Sequence, residues 1–362
     1  MKWKRSTALL SLSPADLKVM AQCKMPIHEL VPAKRPNKNI PPLWSVLSYV
    51  MLQSHEGYVN IWYHYRSLLE VAGNTKPYYR PKHLSKSGGG YRQIRVPSST
   101  LCYQQRYITD NILSGLPVDS HAYAYRKGVC PADCAKPHVG RDVLIHLDLQ
   151  DFFHSITEDM VYVTLLEQTG YAKSLCRFLA QMCCLQGRLP QGAPSSPMLS
   201  NIVFCNCDRA LAQFAAQHDL HYSRYSDDLF FSGSHSTDVP QVIREVSTIL
   251  QSHGFRLNKE KTTVRRRQHR QAVLGLTVND RVQVTRDYRR KLLQEVYYLE
   301  KFGKNSRDAV ASGNYLRYLQ QLQGKLAYAL QFDPDNGRLR DAQATVIRMI
   351  SQHNFLWEHG FL

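Results

Sequence analysis

Carboxylates interrupt two apolar segments of this chain, and they constrain its fold more than any other feature. The segment 142–149 reads DVLIHLDL, an apolar strand pattern with Asp148 near its end. The segment 221–233 reads HYSRYSDDLFFSG, which predicts two short strands around a turn at Ser226-Asp227-Asp228. Adjacent carboxylates repel each other unless water or a cation screens them. If the two segments pair in one sheet, three carboxylates converge; otherwise the acidic pair is an ordinary solvated turn.

The basic residues are concentrated on either side of this acidic centre. The chain of 362 residues carries a net charge of +17, which is typical of a protein that meets polyanions. Residues 76–106 contain seven Lys or Arg and no acidic residue, and residues 256–291 contain twelve basic and three acidic residues. This pattern favours a cleft that binds phosphates around a metal site. The alternative is two solvated charged surfaces.

Converging carboxylates predict metal-dependent chemistry. Mg²⁺ prefers octahedral oxygen ligands, and two such ions about 4 Å apart can activate an attacking hydroxyl and stabilise a leaving pyrophosphate. A site of this kind is typical of a nucleotidyl transferase. A competing metal site would use Cys130, Cys134 and His138, which recur at four-residue spacing. Structural zinc sites usually show two close pairs of ligands, so no zinc is expected.

Three motifs occur in the order that is typical of polymerase palms. HLDLQDFFHSI (146–156), LPQGAPSSPMLSNIVF (189–204) and YSDD (225–228) resemble the palm motifs of reverse transcriptases. The resemblance implies an α+β right-hand polymerase, with fingers, an antiparallel palm sheet packed on helices, and a helical C-terminal thumb. It implies that the catalytic residues Asp148, Asp227 and Asp228 hold two Mg²⁺ ions together with the backbone carbonyl of Leu149. Mn²⁺ would be able to substitute.

The same resemblance and the local patterns predict how the chain is divided. We expect an N-terminal helical extension over 1–40, fingers with part of the palm over 41–145, a palm with the catalytic and primer-grip hairpins over 146–285, and a helical, RNA-binding thumb over 286–362. The periodicity predicts helices over 40–72, 158–185, 198–217 and 240–253, a strand over 91–97, and a hairpin over 272–285 that turns at Asn279-Asp280.

Contacts to the incoming nucleotide are also implied. Phe153 falls where the family has an aromatic side chain beside the sugar, which would exclude a 2′-hydroxyl and select deoxynucleotides. One of the neighbouring rings, Phe152 or Phe153, is expected to lie in the core. Gln191-Gly192 resembles the loop beside the incoming base and template, where glycine permits close backbone approach, although a turn after Pro190 would look the same.

Basic residues complete the implied nucleotide site. Arg92 and Arg95 in YRQIRVP resemble the fingers strand that clamps the triphosphate, and a guanidinium fork suits phosphate. Since alternate side chains share a strand face, both need not contact the nucleotide, and Arg92 is favoured. Lys261 would protonate the departing pyrophosphate or offset its charge, or it is a solvated lysine. The implied nucleotide-binding set is Arg92, Arg95, Asp151, Phe152, Phe153, Gln191, Gly192 and Lys261.

Further motifs resemble bacterial retron enzymes in particular. CAKPHVG (134–140) resembles the retron Asn-Ala-x-x-His motif, with Cys134 in place of Asn and with Ala135 and His138 retained. HAYAYRKG (121–128) resembles the segment that precedes this motif. VLGLTVN (273–279) resembles the retron Val-Thr-Gly motif, and within it Leu274-Gly275-Leu276 resembles the primer grip, where glycine would let the backbone approach the primer.

A retron reverse transcriptase is the function that these motifs imply. It would use deoxynucleoside triphosphates to copy part of its cognate structured noncoding RNA, priming from an internal 2′-hydroxyl, into a branched RNA–DNA product (msDNA). A separate effector or toxin protein would complete an anti-phage defence system. The basic residues expected to bind RNA are Arg265, Arg266, Arg267, Arg289, Arg290 and Lys291.

Other functions remain open at this point. They are another bacterial reverse transcriptase, of the abortive-infection or group II intron-like type, or a non-catalytic RNA-binding scaffold on a polymerase fold. A degenerate polymerase usually loses a carboxylate, and this chain retains all three. No run of about 18 apolar residues predicts a membrane span. The odd number of cysteines, nine, fits a cytoplasmic protein without a disulfide framework.

Overall fold

The computed structural model of the protein describes residues 71–85 and 89–358. The predicted N-terminal extension over 1–40 lies outside the described residues. The same is true of the helix predicted over 40–72, except for Val71 and Ala72 at its end, which are helical.

The described residues form nine strands and eleven α-helices. The strands are β1 (Tyr79–Ser85), β2 (Tyr91–Pro97), β3 (Val143–Leu149), β4 (His221–Tyr225), β5 (Asp228–Gly233), β6 (Leu257–Arg266), β7 (Ala272–Val273), β8 (Leu276–Thr277) and β9 (Gln283–Val284). The helices are α1 (Ser99–Asn111), α2 (Pro131–Ala135), α3 (Phe152–Ser155), α4 (Glu158–Thr169), α5 (Lys173–Cys183), α6 (Ser196–Gln217), α7 (Val239–Ser252), α8 (Arg286–Phe302), α9 (Arg307–Ser312), α10 (Tyr315–Leu330) and α11 (Gly337–Glu358).

A four-stranded antiparallel sheet with the order β4-β5-β3-β6 forms the centre of the molecule. The predicted strand with Asp148 is β3, and it pairs with β5 so that Asp148 faces Asp228. The predicted strand–turn–strand of the acidic pair is confirmed as β4 and β5. The α+β class is therefore confirmed as well.

Alternating side chains of β3 and β5 divide the core into two parts. Residues 143, 145, 147 and 149 of β3, with Leu229 and Phe231 of β5, pack against α1, α4, α5, α6 and α7. Leu144 and Phe230 point to the opposite face, where β7–β9, α2 and the C-terminal helices form a second core. Since successive strand residues alternate between faces, Asp148 and Asp228 belong to this second face. Asp148 and Asp228 are therefore on the same face of the sheet as the second core.

Two predicted elements differ from the structure. The helix predicted over 158–185 is two helices, α4 and α5, because Gly170 takes a left-handed conformation with φ of +66° and ends α4. The hairpin predicted over 272–285 is a three-stranded sheet, β7-β8-β9. It turns once at Leu274-Gly275 and again around the predicted Asn279-Asp280.

The predicted strand over 91–97 is confirmed as β2, which pairs with β1 in a separate two-stranded antiparallel sheet. The helices predicted over 198–217 and 240–253 correspond to α6 and α7. The predicted helical C-terminus forms α8–α11, which pack against one another and on the small sheet. Over the residues that the structure describes, no helix is both long enough and apolar enough to cross a membrane.

Candidate active site

The three acidic residues lie at one end of the central sheet. Asp148 is the penultimate residue of β3, and Asp228 opposite it is the first residue of β5. Asp227 lies in the tight turn between β4 and β5, and its carbonyl accepts a hydrogen bond of 2.9 Å from the backbone N–H of Leu149. Strand pairing and this backbone contact hold all three residues together. The structure thus brings together residues that are 79 and 80 positions apart in the chain.

Burial and mutual repulsion act on the turn carboxylate. Burial raises the pKa of Asp227 above its ordinary value, and the charges of Asp228 and Asp148 raise it further. A hydrogen bond from the side chain of Ser226 opposes this rise. The anionic form of Asp227 is therefore costly in this structure, so a bound cation would stabilise it.

Basic side chains contact the carboxylates of Asp148 and Asp228. Lys261 Nζ donates to both oxygens of Asp148, at 2.8 and 3.0 Å. This hydrogen bond, followed by the charge of Asp148, raises the pKa of Lys261. His146 Nε2 lies 2.7 Å from Oδ1 of Asp228, and its ring stacks on Phe230 with the centroids 4.7 Å apart.

The donor set suits a divalent cation of the Mg²⁺ type, since it consists of carboxylate and backbone oxygens. With the side chains as they stand, no group of three His, Cys, Asp or Glu residues within 71–85 and 89–358 is placed to hold a metal ion. The Lys261 side chain that pairs with Asp148 is 57% exposed.

Strand β6 changes register beside this lysine. Between Val143 and His146, β3 pairs with residues 266 to 263 of β6 in continuous register. Continued further, that register would put Lys261 opposite Asp148, but Asn258 takes this position and the intervening residues bulge out. Strand β6 was not predicted, although the alternation around Thr262-Thr263-Val264 is a signal for it.

Strand β2, for which a fingers role is predicted, and the Gln191-Gly192 loop are hydrogen-bonded through their backbones. The N–H of Arg95 in β2 donates to the carbonyl of Gln191 at 2.8 Å. Gly192 has a φ of +117°, and a Cβ there would lie 2.8 Å from the carbonyl oxygen of Arg95. Glycine is thus required at this position by the neighbouring strand. The side chain of Arg92, three positions along β2, is exposed.

The segment after β3 separates the two neighbouring rings. Asp151 is exposed and has a left-handed φ of +47°. Phe152 is 3% exposed and lies in the first core, so the expectation that one ring is a core residue is confirmed. Phe153 is half-buried and packs against the edge of that core. Its role as the sugar-side gate stays a prediction.

The retron-type motif packs against strands β4 and β5, the hairpin that carries Asp227 and Asp228. Cys134, Ala135 and His138 are fully buried. His138 Nδ1 lies 2.7 Å from the hydroxyl of Ser232, and Nε2 lies 2.7 Å from the hydroxyl of Ser223. Cys134 Sγ is 3.2 Å from that same hydroxyl of Ser223. Burial lowers the pKa of His138 to about 3, so the ring is neutral. These contacts tie the motif to β4 and β5.

The primer-grip candidates form a two-residue turn. Leu274 and Gly275 have φ of +51° and +81° between the paired residues Val273 and Leu276, which is the conformation of a type I′ hairpin turn. Leu276 is 1% exposed and Gly275 is exposed, so the turn presents backbone to solvent. Contact with a primer stays a prediction.

The two basic clusters expected to bind RNA differ in how far their charges are already paired. Arg265, Arg266 and Arg267 are exposed at the end of β6, and Arg267 lies 3.9 Å from both Asp142 and Asp280. On α8, Arg289 is only 28% exposed and pairs with Asp333 at 3.1 Å. Arg290 pairs with Asp287 at 3.5 Å, and Lys291 is exposed. Arg289 therefore has a structural partner that the sequence pattern did not indicate.

Sequence reasoning missed two residues that contact the catalytic turn. Arg224 lies fully buried in β4 and pairs with buried Asp208 of α6. Tyr125 contacts Ser226 through its hydroxyl. Both residues lie in segments that the sequence analysis quoted, but neither was predicted to be a site residue.

Comparison with known proteins agrees with this geometry. Residues 84–278 match the family described as reverse transcriptase (RNA-dependent DNA polymerase). The chain is similar to the retron Mx65 reverse transcriptase of Myxococcus xanthus, with 33% identity over 72% of this chain and 64% of that relative. It is also similar to the retron Ec86 reverse transcriptase of Escherichia coli, with 28% identity over 68% of this chain and 73% of that relative.

A solved structure of telomerase from Candida albicans aligns with a TM-score of 0.42 and 12% identity, over 75% of this chain and 61% of that one. The match to the Myxococcus relative spans less than two thirds of the relative's length. The matched family range contains all three aspartates and the Gln191-Gly192 loop. The predicted resemblance to retron reverse transcriptases is confirmed, and the chain belongs to the reverse transcriptase family.

Proposed function

We propose that this chain is the RNA-directed DNA polymerase of a retron. The observation that carries the proposal is the placement of Asp148, Asp227 and Asp228 at one end of the central sheet, with Lys261 beside them. Strand β2, which carries Arg92 and Arg95, is hydrogen-bonded to the Gln191-Gly192 loop, and both segments resemble motifs of reverse transcriptases. Family membership and retron relatives support the same reaction.

In the proposed reaction, Asp148, Asp227 and Asp228 would hold two Mg²⁺ ions together with the carbonyl of Leu149. When bound, the ions supply positive charge for the deprotonated primer hydroxyl and the departing pyrophosphate, and Mn²⁺ would substitute. Since Asp148 keeps Lys261 protonated, this ammonium group is available as a proton donor to the pyrophosphate once it leaves Asp148.

Nucleotide selection falls to residues of the fingers and of the segment after β3. Arg92 and Arg95 would bind the triphosphate, and Gln191-Gly192 would line the base. The half-buried ring of Phe153 is held by the core behind it, so it would exclude a 2′-hydroxyl by a steric clash. The substrates are then deoxynucleoside triphosphates.

The RNA partner and the product follow from the retron relationship. The chain would bind its cognate structured noncoding RNA through the exposed cluster Arg265–Arg267 and through Arg290 and Lys291, and would copy part of the RNA into branched msDNA. Exposed arginines next to one another provide sequence-independent phosphate contacts, which position an RNA. A separate effector protein would complete a defence system.

Asp227→Asn tests the polymerase. The substitution removes a charge from the carboxylate site and keeps the side-chain size, so DNA synthesis on an RNA template should be abolished while RNA binding stays nearly intact. Asp219→Asn is the matched control, because Asp219 is an exposed turn residue with φ of +55° that asparagine also adopts. Normal synthesis by Asp227→Asn would contradict the proposed site.

The retron assignment is tested on nucleic acid that co-purifies with the protein expressed from its native operon. The bound material is treated separately with RNase and DNase. A DNA strand that stays attached to RNA through an RNase-resistant branch supports the retron assignment. Unbranched complementary DNA would support a different reverse transcriptase. Bound RNA without DNA, even after deoxynucleotides and Mg²⁺ are added, would support a non-catalytic scaffold.

A further inference from the structure

The catalytic turn depends on a residue in an unfavourable backbone conformation. Ser226, immediately before Asp227, has a left-handed φ of +60°, which costs a non-glycine residue free energy. Such a conformation persists only where surrounding contacts hold it. Contacts at Ser226 therefore determine where the neighbouring carboxylate lies, and the structure has two of them, one to the backbone and one to the side chain.

The backbone contact comes from a buried ion pair. Arg224 donates from Nε and Nη2 to the two oxygens of Asp208, at 2.8 and 2.6 Å, and both side chains are fully buried. Its remaining terminal nitrogen, Nη1, donates to the carbonyl of Ser226 at 3.1 Å. The guanidinium also lies over the ring of Phe204, with its carbon 4.6 Å from the centroid. One planar cation thus connects α6 with the catalytic turn.

The side-chain contact comes from outside the sheet. The hydroxyl of Tyr125 lies 2.8 Å from the hydroxyl of Ser226. Tyr125 itself has a φ of +63°, so both partners are held in left-handed conformations. The segment before it is fixed by Asn201, whose amide donates to the carbonyl of Ala124 at 2.8 Å. It is also fixed by a backbone bridge between Ala122 and β4.

We propose that Tyr125 and Arg224 are positioning residues that together hold Ser226 in its left-handed conformation and thereby fix the Asp227 carboxylate toward Asp148. This inference rests on the proposed polymerase function. Arg224 restrains the carbonyl of Ser226, and Tyr125 restrains its hydroxyl. Both residues would therefore act on Asp227 through Ser226. The reverse transcriptase motifs that this chain resembles assign no role to Tyr125 or Arg224.

The chemistry of the contacts supports this division of roles. Folding alone would be served by a well-packed apolar pair at positions 208 and 224, since a buried ion pair often adds little net stability. The arginine fork, in contrast, donates in three directions at fixed angles, which an apolar side chain cannot do. The Tyr125 ring is 41% exposed, so its hydroxyl contributes little to the core. Removing that hydroxyl should therefore affect catalysis more than folding.

The decisive variant is Tyr125→Phe, which removes only the hydroxyl. Its matched control is Tyr123→Phe, the same change two residues away on a ring that packs in the second core. Steady-state extension of a primed RNA template is measured with saturating Mg²⁺ together with thermal melting. For Tyr125→Phe we expect kcat to fall about tenfold, with unchanged KM for deoxynucleotides and an unchanged melting temperature. Tyr123→Phe should retain wild-type kcat.

Three further variants separate positioning from simple loss of a contact. Ser226→Ala and the double variant Tyr125→Phe/Ser226→Ala complete a mutant cycle, and the double variant should be no slower than the slower single variant. Arg224→Lys keeps the charge but loses the fork, so kcat should fall while RNA binding is retained. If Arg224→Lys fails to fold, the Tyr125 cycle decides alone.

The outcomes distinguish this inference from the proposed function. A wild-type chain that incorporates no deoxynucleotide overturns both. A wild-type chain that polymerises, with Tyr125→Phe at wild-type kcat, overturns the positioning role alone. A fall in kcat that is matched by an equal fall in Tyr123→Phe, or by a lower melting temperature, assigns Tyr125 to folding and also overturns it.

Discussion

Gly192→Ala should test whether the neighbouring backbone of β2 requires glycine at position 192. In the wild-type structure, Gly192 has a φ of +117°, and an added Cβ would lie 2.8 Å from the carbonyl oxygen of Arg95. The loop also accepts the 2.8 Å hydrogen bond from the N–H of Arg95. Alanine must therefore adopt a strained backbone, and its Cβ must push β2 away and break that hydrogen bond.

The magnitude follows from these two costs. A strained backbone conformation costs ~1–3 kcal/mol. Loss of the Arg95 hydrogen bond adds ~0.5–1.5 kcal/mol. We expect the free energy of unfolding to fall by ~2–4 kcal/mol, as measured by urea denaturation. Since β2 carries Arg92 and Arg95, its displacement should also raise KM for deoxynucleotides more than it lowers kcat.

Gly254→Ala provides the control. Gly254 also has a positive φ, +82°, but a Cβ there would meet no atom within 4 Å. The free energy of unfolding of this variant should fall by only ~1–2 kcal/mol, which is the cost of the left-handed conformation. Its KM for deoxynucleotides should be unchanged. Equal losses of stability in the two variants, or an unchanged KM in Gly192→Ala, would refute the argument that Gly192 is required by the backbone of β2.

Two other predictions use the exposed and half-buried residues of the proposed site. Neutralising Arg265, Arg266 and Arg267 should weaken RNA binding and flatten its dependence on salt concentration, because fewer counterions are released. Filter binding across a salt series measures this dependence. An unchanged slope would mean that the cluster is only solvated. Phe153→Val should allow ribonucleotide incorporation while deoxynucleotide incorporation continues; persistent exclusion of ribonucleotides in a primer-extension assay would remove Phe153 as the sugar-side gate.

Local patterns identified much of the site before any tertiary information. The strand of Asp148, the turn at Asp227-Asp228 and helix α6 each follow from periodicity or turn chemistry within a few residues. The reverse transcriptase motifs then related segments that are far apart in the chain. These signals lie within short segments or in the order of the motifs along the chain, so they can be recognised from the sequence alone. They also indicated that one ring of Phe152-Phe153 would be buried.

Contacts between distant segments were decided only by the tertiary structure. The bulge in β6 that puts Asn258, instead of Lys261, opposite Asp148 depends on strand register, which no pattern within β6 specifies. The glycine at position 192 was expected to permit a close backbone approach, but its neighbour is a strand of the same chain. The pairing of Arg289 with Asp333 is likewise invisible in a run of basic residues.

The sequence by itself determined which residues carry charge, which segments are strands and turns, and which family the chain resembles. The tertiary structure alone decided how the catalytic turn is held. Arg224 and Asp208 are sixteen residues apart and fully buried, and Tyr125 reaches Ser226 across 101 residues. Side-chain geometry at such separations depends on how sheets and helices pack, because the directions of donors and acceptors are set only when the core is complete.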